Sequence, residues 1–99
     1  MKKTISIIGA TGSIGLSTLN IIDNKKNLFN INLLSAKKNF KTICLQIKKY
    51  SPKIYVITDN NVFQKVKKRF IKKNKKILNN FSEIIKKKNL ISPLQQYQV

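Results

Sequence analysis

Apolar residues recur along this chain in two alternating periods. Residues 4–8 form a short apolar-rich run, which predicts a first strand. A helix follows from residue 13 or 14 to residue 23, with Ile14, Leu16, Leu19 and Ile22 on one broad face, and Asn24-Lys25-Lys26-Asn27 ends it with turn chemistry. Residues 29–34 predict a second strand, because Phe29, Ile31 and Leu33 alternate with Asn30 and Asn32 before the pattern turns fully apolar. Residues 35–39 read as a loop. The second helix runs from residue 40 to about 49, with Asn39 as its cap and Phe40, Ile43, Cys44 and Ile47 as its buried stripe. Ser51-Pro52 breaks the chain ahead of a third strand at 54–58, whose β-branched and aromatic run suits a buried parallel sheet. Asp59 or Asn60 caps a third helix, striped by Val62, Phe63, Val66 and Phe70. A basic run then leads to a short helix around Phe81, Ile84 and Ile85, and residues 89–99 read as an irregular tail.

The order βαβαβα predicts an α/β fold: a partial, Rossmann-like, doubly wound parallel sheet with an extra C-terminal helix. Right-handed crossovers put strand two beside strand one and strand three beyond it. Ninety-nine residues allow one small domain, so residues 1–88 are read as that domain. The other side of strand one is expected to be an open apolar edge, the chain ending before a fourth strand.

The first strand-to-helix junction carries the most chemistry. Gly9, Gly12 and Gly15 are spaced three apart, just where the apolar run ends and the helical pattern begins. Gly9 permits a sharp turn, Gly12 lets backbone approach a phosphate, and Gly15 lets the helix pack close to the strand. The helix start then offers unpaired N–H groups and a positive dipole end to an anion. Thr11 and Ser13 have neither His nor acid nearby, so they read as phosphate contacts and not as nucleophiles. The site expected here binds a dinucleotide.

The end of strand two selects the cofactor. A carboxylate about 20 residues beyond the glycines would bind the ribose hydroxyls of NAD. That distance from Gly15 reaches Ser35, where no acid lies nearby; Lys37 and Lys38 are there instead, with Ser35 and Asn39 as hydrogen-bonding neighbours. Two lysines attract the 2′-phosphate that NADP carries, so NADPH is expected over NADH.

The formal charge of +18, from 21 basic and 3 acidic side chains, would ordinarily point to nucleic acid. Lys, Ile and Asn together supply 48 of the 99 residues, and all three share A/T-rich codons. Selection for phosphate binding does not raise Ile, and Arg69 is the single arginine, so the charge is read as compositional bias on solvated faces. One cysteine, Cys44, excludes an internal disulfide and fits a reducing cytoplasm. Gly9, Thr11, Gly12 and Ser13 break the apolar run that a secretory signal would need, and no run approaches a membrane span.

Catalytic groups are missing. There is no His, and Asp23, Asp59 and Glu83 are the only carboxylates, spaced for neither acid–base work nor metal binding. Tyr50, Tyr55 and Tyr97 have no Lys at the spacing of a reductase dyad.

Gly-Ala-Thr-Gly-Ser-Ile-Gly at 9–15, followed by Leu16-Ser17-Thr18-Leu19, closely resembles the start of the 1-deoxy-D-xylulose 5-phosphate reductoisomerase family. The resemblance continues through Ser35-Ala36-Lys37-Lys38-Asn39, Tyr50-Ser51-Pro52-Lys53 and Asp59, and covers residues 1–88. It implies an NADP-dependent oxidoreductase of non-mevalonate isoprenoid biosynthesis, which converts 1-deoxy-D-xylulose 5-phosphate to 2-C-methyl-D-erythritol 4-phosphate with Mg²⁺ or Mn²⁺ and works as a homodimer. Carried over by position, Thr11, Gly12, Ser13 and Ile14 look like pyrophosphate and nicotinamide-side contacts, and Lys38 and Asn39 like 2′-phosphate and ribose contacts. Lys37 stands where the family has Gly. With Gly9 and Gly15 these residues make the expected cofactor site.

Family members are about four times longer, and their metal and substrate residues lie beyond Val99. The resemblance therefore implies a truncated, amino-terminal NADPH-binding segment that turns over nothing alone. Two rivals stand beside it: a non-functional remnant of a decayed gene, and a small basic nucleic-acid-binding module using Lys65 to Lys76.

Overall fold

A computed structural model describes residues 2–73, 75–86 and 96–98. The elements in chain order are β1 (Lys3–Ile7), α1 (Ser13–Asp23), β2 (Phe29–Ala36), α2 (Phe40–Tyr50), β3 (Ile54–Ile57), α3 (Asn60–Arg69), β4 (Lys76–Leu78), α4 (Ser82–Lys86) and β5 (Gln96–Gln98). They build a five-stranded sheet in the order β4-β3-β2-β1-β5. Every neighbouring pair is parallel. The α/β, doubly wound architecture expected from the alternating periods is the one observed, with β1, β2 and β3 side by side.

The two faces of the sheet are covered by different helices. One core joins Ile5, Ile7, Leu34, Tyr55 and Ile57 of the strands to Leu19 and Ile22 of α1, Ile43 and Ile47 of α2, and Val66 of α3. The second core joins Leu33, Ile54, Val56 and Leu78 to Ile84 of α4. The chain thus winds outward from β1 to β4 over one face. It then crosses to the other side of β1 by way of α4, which packs on the opposite face. The reversal lies between β1 and β5, and in open parallel sheets such a switch point opens the crevice that ligands enter.

Pairing between β1 and β2 slips by one residue: Ile5 faces Ile31, and Ser6 faces Leu33. Asn32 is the extra residue and is buried. The bulge exchanges the faces of β2. Phe29 and Ile31 pack against the first core before it, Leu34 and Ala36 join that core after it, and Leu33 moves to the second core. Simple alternation had put Leu33 with Ile31.

Several boundaries and one face differ from the sequence expectations. Ser35 and Ala36 end β2 and are buried, where a loop was expected. On α1 the inward positions are Gly15, Leu19 and Ile22, and Ile14 and Leu16 are exposed. Gly15 takes the inward place because only a residue without a side chain fits so close to the loop below. The side of β1 expected to be open is paired: Thr4, Ile5 and Ser6 run parallel to Gln96, Tyr97 and Gln98. The tail is therefore not irregular at 96–98, and two strands follow β3 where none was expected. The rest of that tail, residues 89–95 and 99, lies outside the described residues.

The expected caps form. Asn39 Oδ1 accepts the amide of Thr42 at 3.4 Å, and Asp59 Oδ1 accepts that of Val62 at 3.0 Å. Asp23, at the end of α1, pairs with Lys49 of α2 at 2.5 Å and so ties the two helices together. No helix among the described residues is long and apolar enough to cross a membrane.

Candidate cofactor site

The loop between β1 and α1 lies at the carboxyl edge of the sheet, beside the switch point. Gly9 has φ +75°, a left-handed conformation that side chains disfavour, and this turns the chain off β1. The amide of Ala10 donates to the carbonyl of Ser35 at 2.7 Å, and the amide of Gly9 to the hydroxyl of Ser35 at 3.2 Å. The last residues of β2 therefore hold the loop from the side. The Gly12 amide closes a turn onto the Gly9 carbonyl at 3.1 Å, and α1 begins at Ser13.

The three glycines do different work. A Cβ on Gly15 would lie 2.3 Å from the Gly9 oxygen and 2.8 Å from the Ala10 Cα, so the helix sits directly on the loop backbone. A Cβ on Gly9 meets nothing within 4 Å, and its demand is conformational. A Cβ on Gly12 would touch only the Gly9 oxygen, at an ordinary 3.5 Å. Among the described residues, nothing requires glycine at position 12.

Capping separates α1 from its neighbours. The starts of α2 and α3 each receive a side-chain acceptor, whereas the N-cap of α1 is Gly12 and makes no side-chain cap bond. Among the described residues no side chain caps the first turn of α1, and a phosphate would suit its N–H groups and dipole. Gly12, Ser13 and Ile14 are exposed at this end and Thr11 is half-buried. Ile14 stands 76% exposed, an apolar surface beside the polar loop.

The second part of the site lies at the end of β2. The amides of Thr58 and Asp59 donate to the carbonyls of Ala36 and Lys37 at 3.1 and 3.0 Å. These bonds carry the β2–β3 pairing outward and anchor the basic loop on the same edge as the glycines. Lys37, Lys38 and Asn39 are all exposed there. Asn39 meets the capping expectation, its Oδ1 accepting from the start of α2. Asp59, the acid at the neighbouring strand end, is committed to capping α3.

The structure thus gathers Gly9, Thr11, Gly12, Ser13 and Ile14 at one loop and sets Lys37, Lys38 and Asn39 on the neighbouring loop of the same edge. Gly15 is buried beneath, where it sets the distance of α1 from the loop. Ser35, expected as a hydrogen-bonding neighbour of the lysines, holds the glycine loop through side chain and carbonyl. Two supporting residues escaped the sequence reading. Gln46 of α2, buried, donates from Nε2 to the Ala10 carbonyl at 2.9 Å. Tyr55 of β3 donates its hydroxyl to Gln46 Oε1 at 2.6 Å. A glutamine on the inward stripe beside Ile43 and Ile47 was the available signal. Among the described residues, no group of His, Cys, Asp and Glu could hold a metal ion.

Comparison with known proteins bears on the family and the fold. A family profile described as 1-deoxy-D-xylulose 5-phosphate reductoisomerase matches residues 5–91. The reductoisomerase of Pelagibacter ubique is 41% identical over 86 residues, which is 87% of this chain and 22% of that protein. A solved reductoisomerase from Zymomonas mobilis in complex with NADPH superposes with a TM-score of 0.76 at 26% identity, over 87% of this chain and 23% of that one. A further solved reductoisomerase, in complex with NADPH, fosmidomycin and magnesium, shares the fold at a TM-score of 0.75 and 23% identity, over 85% of this chain and 21% of that one. The chain spans about a fifth of the length of these relatives. With the profile covering most of its length, the chain belongs to the 1-deoxy-D-xylulose 5-phosphate reductoisomerase family.

Proposed function

We propose that this chain is the NADPH-holding segment of a 1-deoxy-D-xylulose 5-phosphate reductoisomerase. The carrying observation is the contrast at the helix starts: α2 and α3 have side-chain caps, whereas α1 begins at Gly12 without one. That start would receive the pyrophosphate, with amides from Thr11 to Ile14 facing it and Ile14 flanking the nicotinamide side. Lys38 and Asn39 would take the 2′-phosphate and ribose. Lys37, with its carbonyl held by Asp59, would contribute charge above the same phosphate. Gly9 and Gly15 shape this grip from within. Residues 1–88 form the cofactor-binding unit in this reading.

When bound, NADPH supplies the hydride; the residues here orient it and neutralise its phosphates. The described residues do not fit the divalent cation of the family's reaction, and no step is assigned to one. The conversion of 1-deoxy-D-xylulose 5-phosphate to 2-C-methyl-D-erythritol 4-phosphate, and homodimeric assembly, belong in this reading to the whole enzyme. The buried free thiol of Cys44 fits a reducing cytoplasm.

Thermal unfolding of the 99-residue chain with and without cofactor tests the reading. NADPH must raise the midpoint in a concentration-dependent way, and NADH must raise it less. An unchanged midpoint at millimolar NADPH rejects it.

A further inference from the structure

The loop that would face the pyrophosphate is fastened from below by two buried side chains. Gln46 is 4% exposed and Tyr55 is 1% exposed. Tyr55 donates its hydroxyl to Gln46 Oε1, and Gln46 Nε2 donates to the Ala10 carbonyl, 36 residues away in sequence. A carbonyl can only accept, so the amide nitrogen of Gln46 must face Ala10 and its oxygen must face Tyr55. Each member thereby fixes the orientation of the next. Packing alone does not call for this arrangement, since an apolar side chain at position 46 would fill the same space between α2 and the sheet. A buried amide is retained at low cost only when its polar atoms are bonded.

The consequence lies on the far side of the peptide. Ala10 O and Thr11 N–H belong to one planar unit, and it is trans. Their directions are opposed, so a carbonyl drawn inward by Gln46 turns the Thr11 N–H outward. The previous peptide is fixed separately, because the Ala10 amide donates to Ser35. Donation to the Ala10 carbonyl also polarises the Thr11 N–H along the same chain of bonds.

We propose that Gln46 and Tyr55 are positioning residues of the cofactor site: they aim the Thr11 amide at the anion that the glycine loop receives. Neither touches the cofactor, and both act through the Ala10–Thr11 peptide. The inference rests on the reading of this loop as the NADPH site, but part of its test is independent of that reading.

The test uses the whole chain with Gln46→Met, which keeps length and apolar bulk while removing the donor, and Tyr55→Phe, which removes only the hydroxyl. Amide exchange in the ligand-free proteins comes first. Gln46→Met is expected to speed exchange at Ala10 and Gly12 about tenfold relative to the α3 amides of Phe63 and Phe70. Equal change at all four amides, or none at Ala10 and Gly12, overturns the proposal. NADPH titration followed by ¹⁵N–¹H spectra comes second. The Thr11 cross-peak is expected to move in the unaltered chain, and Gln46→Met to raise the Kd about tenfold with the NADPH-to-NADH preference unchanged. Tyr55→Phe should give a smaller loss in the same direction. A folded Gln46→Met chain that binds as the unaltered chain does overturns the proposal. If the unaltered chain binds no NADPH, the cofactor reading fails, and the exchange data alone decide whether these side chains set the loop. Should Gln46→Met not fold, Tyr55→Phe carries both measurements, with the same overturning results.

Discussion

Gly15 and Gly9 are in backbone contact: a Cβ on Gly15 would stand 2.3 Å from the Gly9 carbonyl oxygen. The carbonyl belongs to main chain bonded to Gly12, so it cannot swing away as a side chain would. Gly15→Ala should therefore destabilise the fold by roughly 3 kcal/mol and abolish NADPH binding. Gly12→Ala, with an ordinary 3.5 Å contact, should cost only about 0.5 kcal/mol and still weaken NADPH at least about tenfold. Urea unfolding and cofactor titration of the two variants measure the contrast. Equal stability losses would show that position 12 is also constrained from within.

Lys37 and Lys38 should discriminate between cofactors. Replacing both with Ala should weaken NADPH by about tenfold or more and leave NADH within about twofold, because only NADPH carries the 2′-phosphate. The Kd ratio is the readout. A parallel loss for both cofactors would place these lysines near the pyrophosphate instead. The effect should shrink as salt rises, since both side chains are exposed.

The cap of α3 has a separable role. Asp59 Oδ1 accepts the Val62 amide at 3.0 Å, while the Asp59 amide donates to the Lys37 carbonyl. Asp59→Ala should lower stability by about 1 kcal/mol through loss of the cap alone. Asp59→Asn should restore most of it, because the amide oxygen caps as well as the carboxylate does. Failure of Asn to recover stability in urea melts would point to the negative charge and not to the hydrogen bond.

Alkaline pH should loosen this fold. Burial first, and the neighbouring Cys44 second, hold the Tyr55 hydroxyl well above its ordinary value of 10.0. In the unfolded chain that hydroxyl ionises near its ordinary value, whereas in the folded chain it keeps its proton. The folded state then binds more protons, so the stability is whole below about pH 10 and is lost as pH rises through the folded value. Cys44 and Tyr50, shifted upward mainly by burial, and Lys49, shifted upward mainly by its bond to Asp23, act in the same direction. The urea midpoint should fall above about pH 10, and Tyr55→Phe should flatten part of that slope. An equal slope in the variant would remove Tyr55 from the account.

Much of the site was legible because it is local. The positive φ at Gly9, the start of α1 at Ser13, and the caps at Asn39 and Asp59 each depend on residues within one or two turns of one another. The parallel order of β1, β2 and β3 follows from alternating periods and the handedness of crossovers. The basic loop at Lys37 and Lys38 could be placed on the same sheet edge as the glycines by counting from them. The inward face of α1 was misread because periodicity scores Ile14 and Leu16 as core, whereas the exposed pair flanks Gly15, whose lack of a side chain is what meets the loop.

The chain's own order of residues determined the elements, the glycine turn and the basic loop after β2, since these arise from short-range sterics and from charge carried on neighbouring positions. The tertiary structure decided where Asn32 bulges, that Leu33 changes faces, that Lys76–Leu78 and Gln96–Gln98 flank the sheet, and that Gln46 reaches Ala10. Three-residue strands are too short to display a period, and a bulge or a buried amide bond becomes visible only when segments far apart in sequence have been brought into register. Those long-range choices are set by packing and by the need to pair every buried polar group.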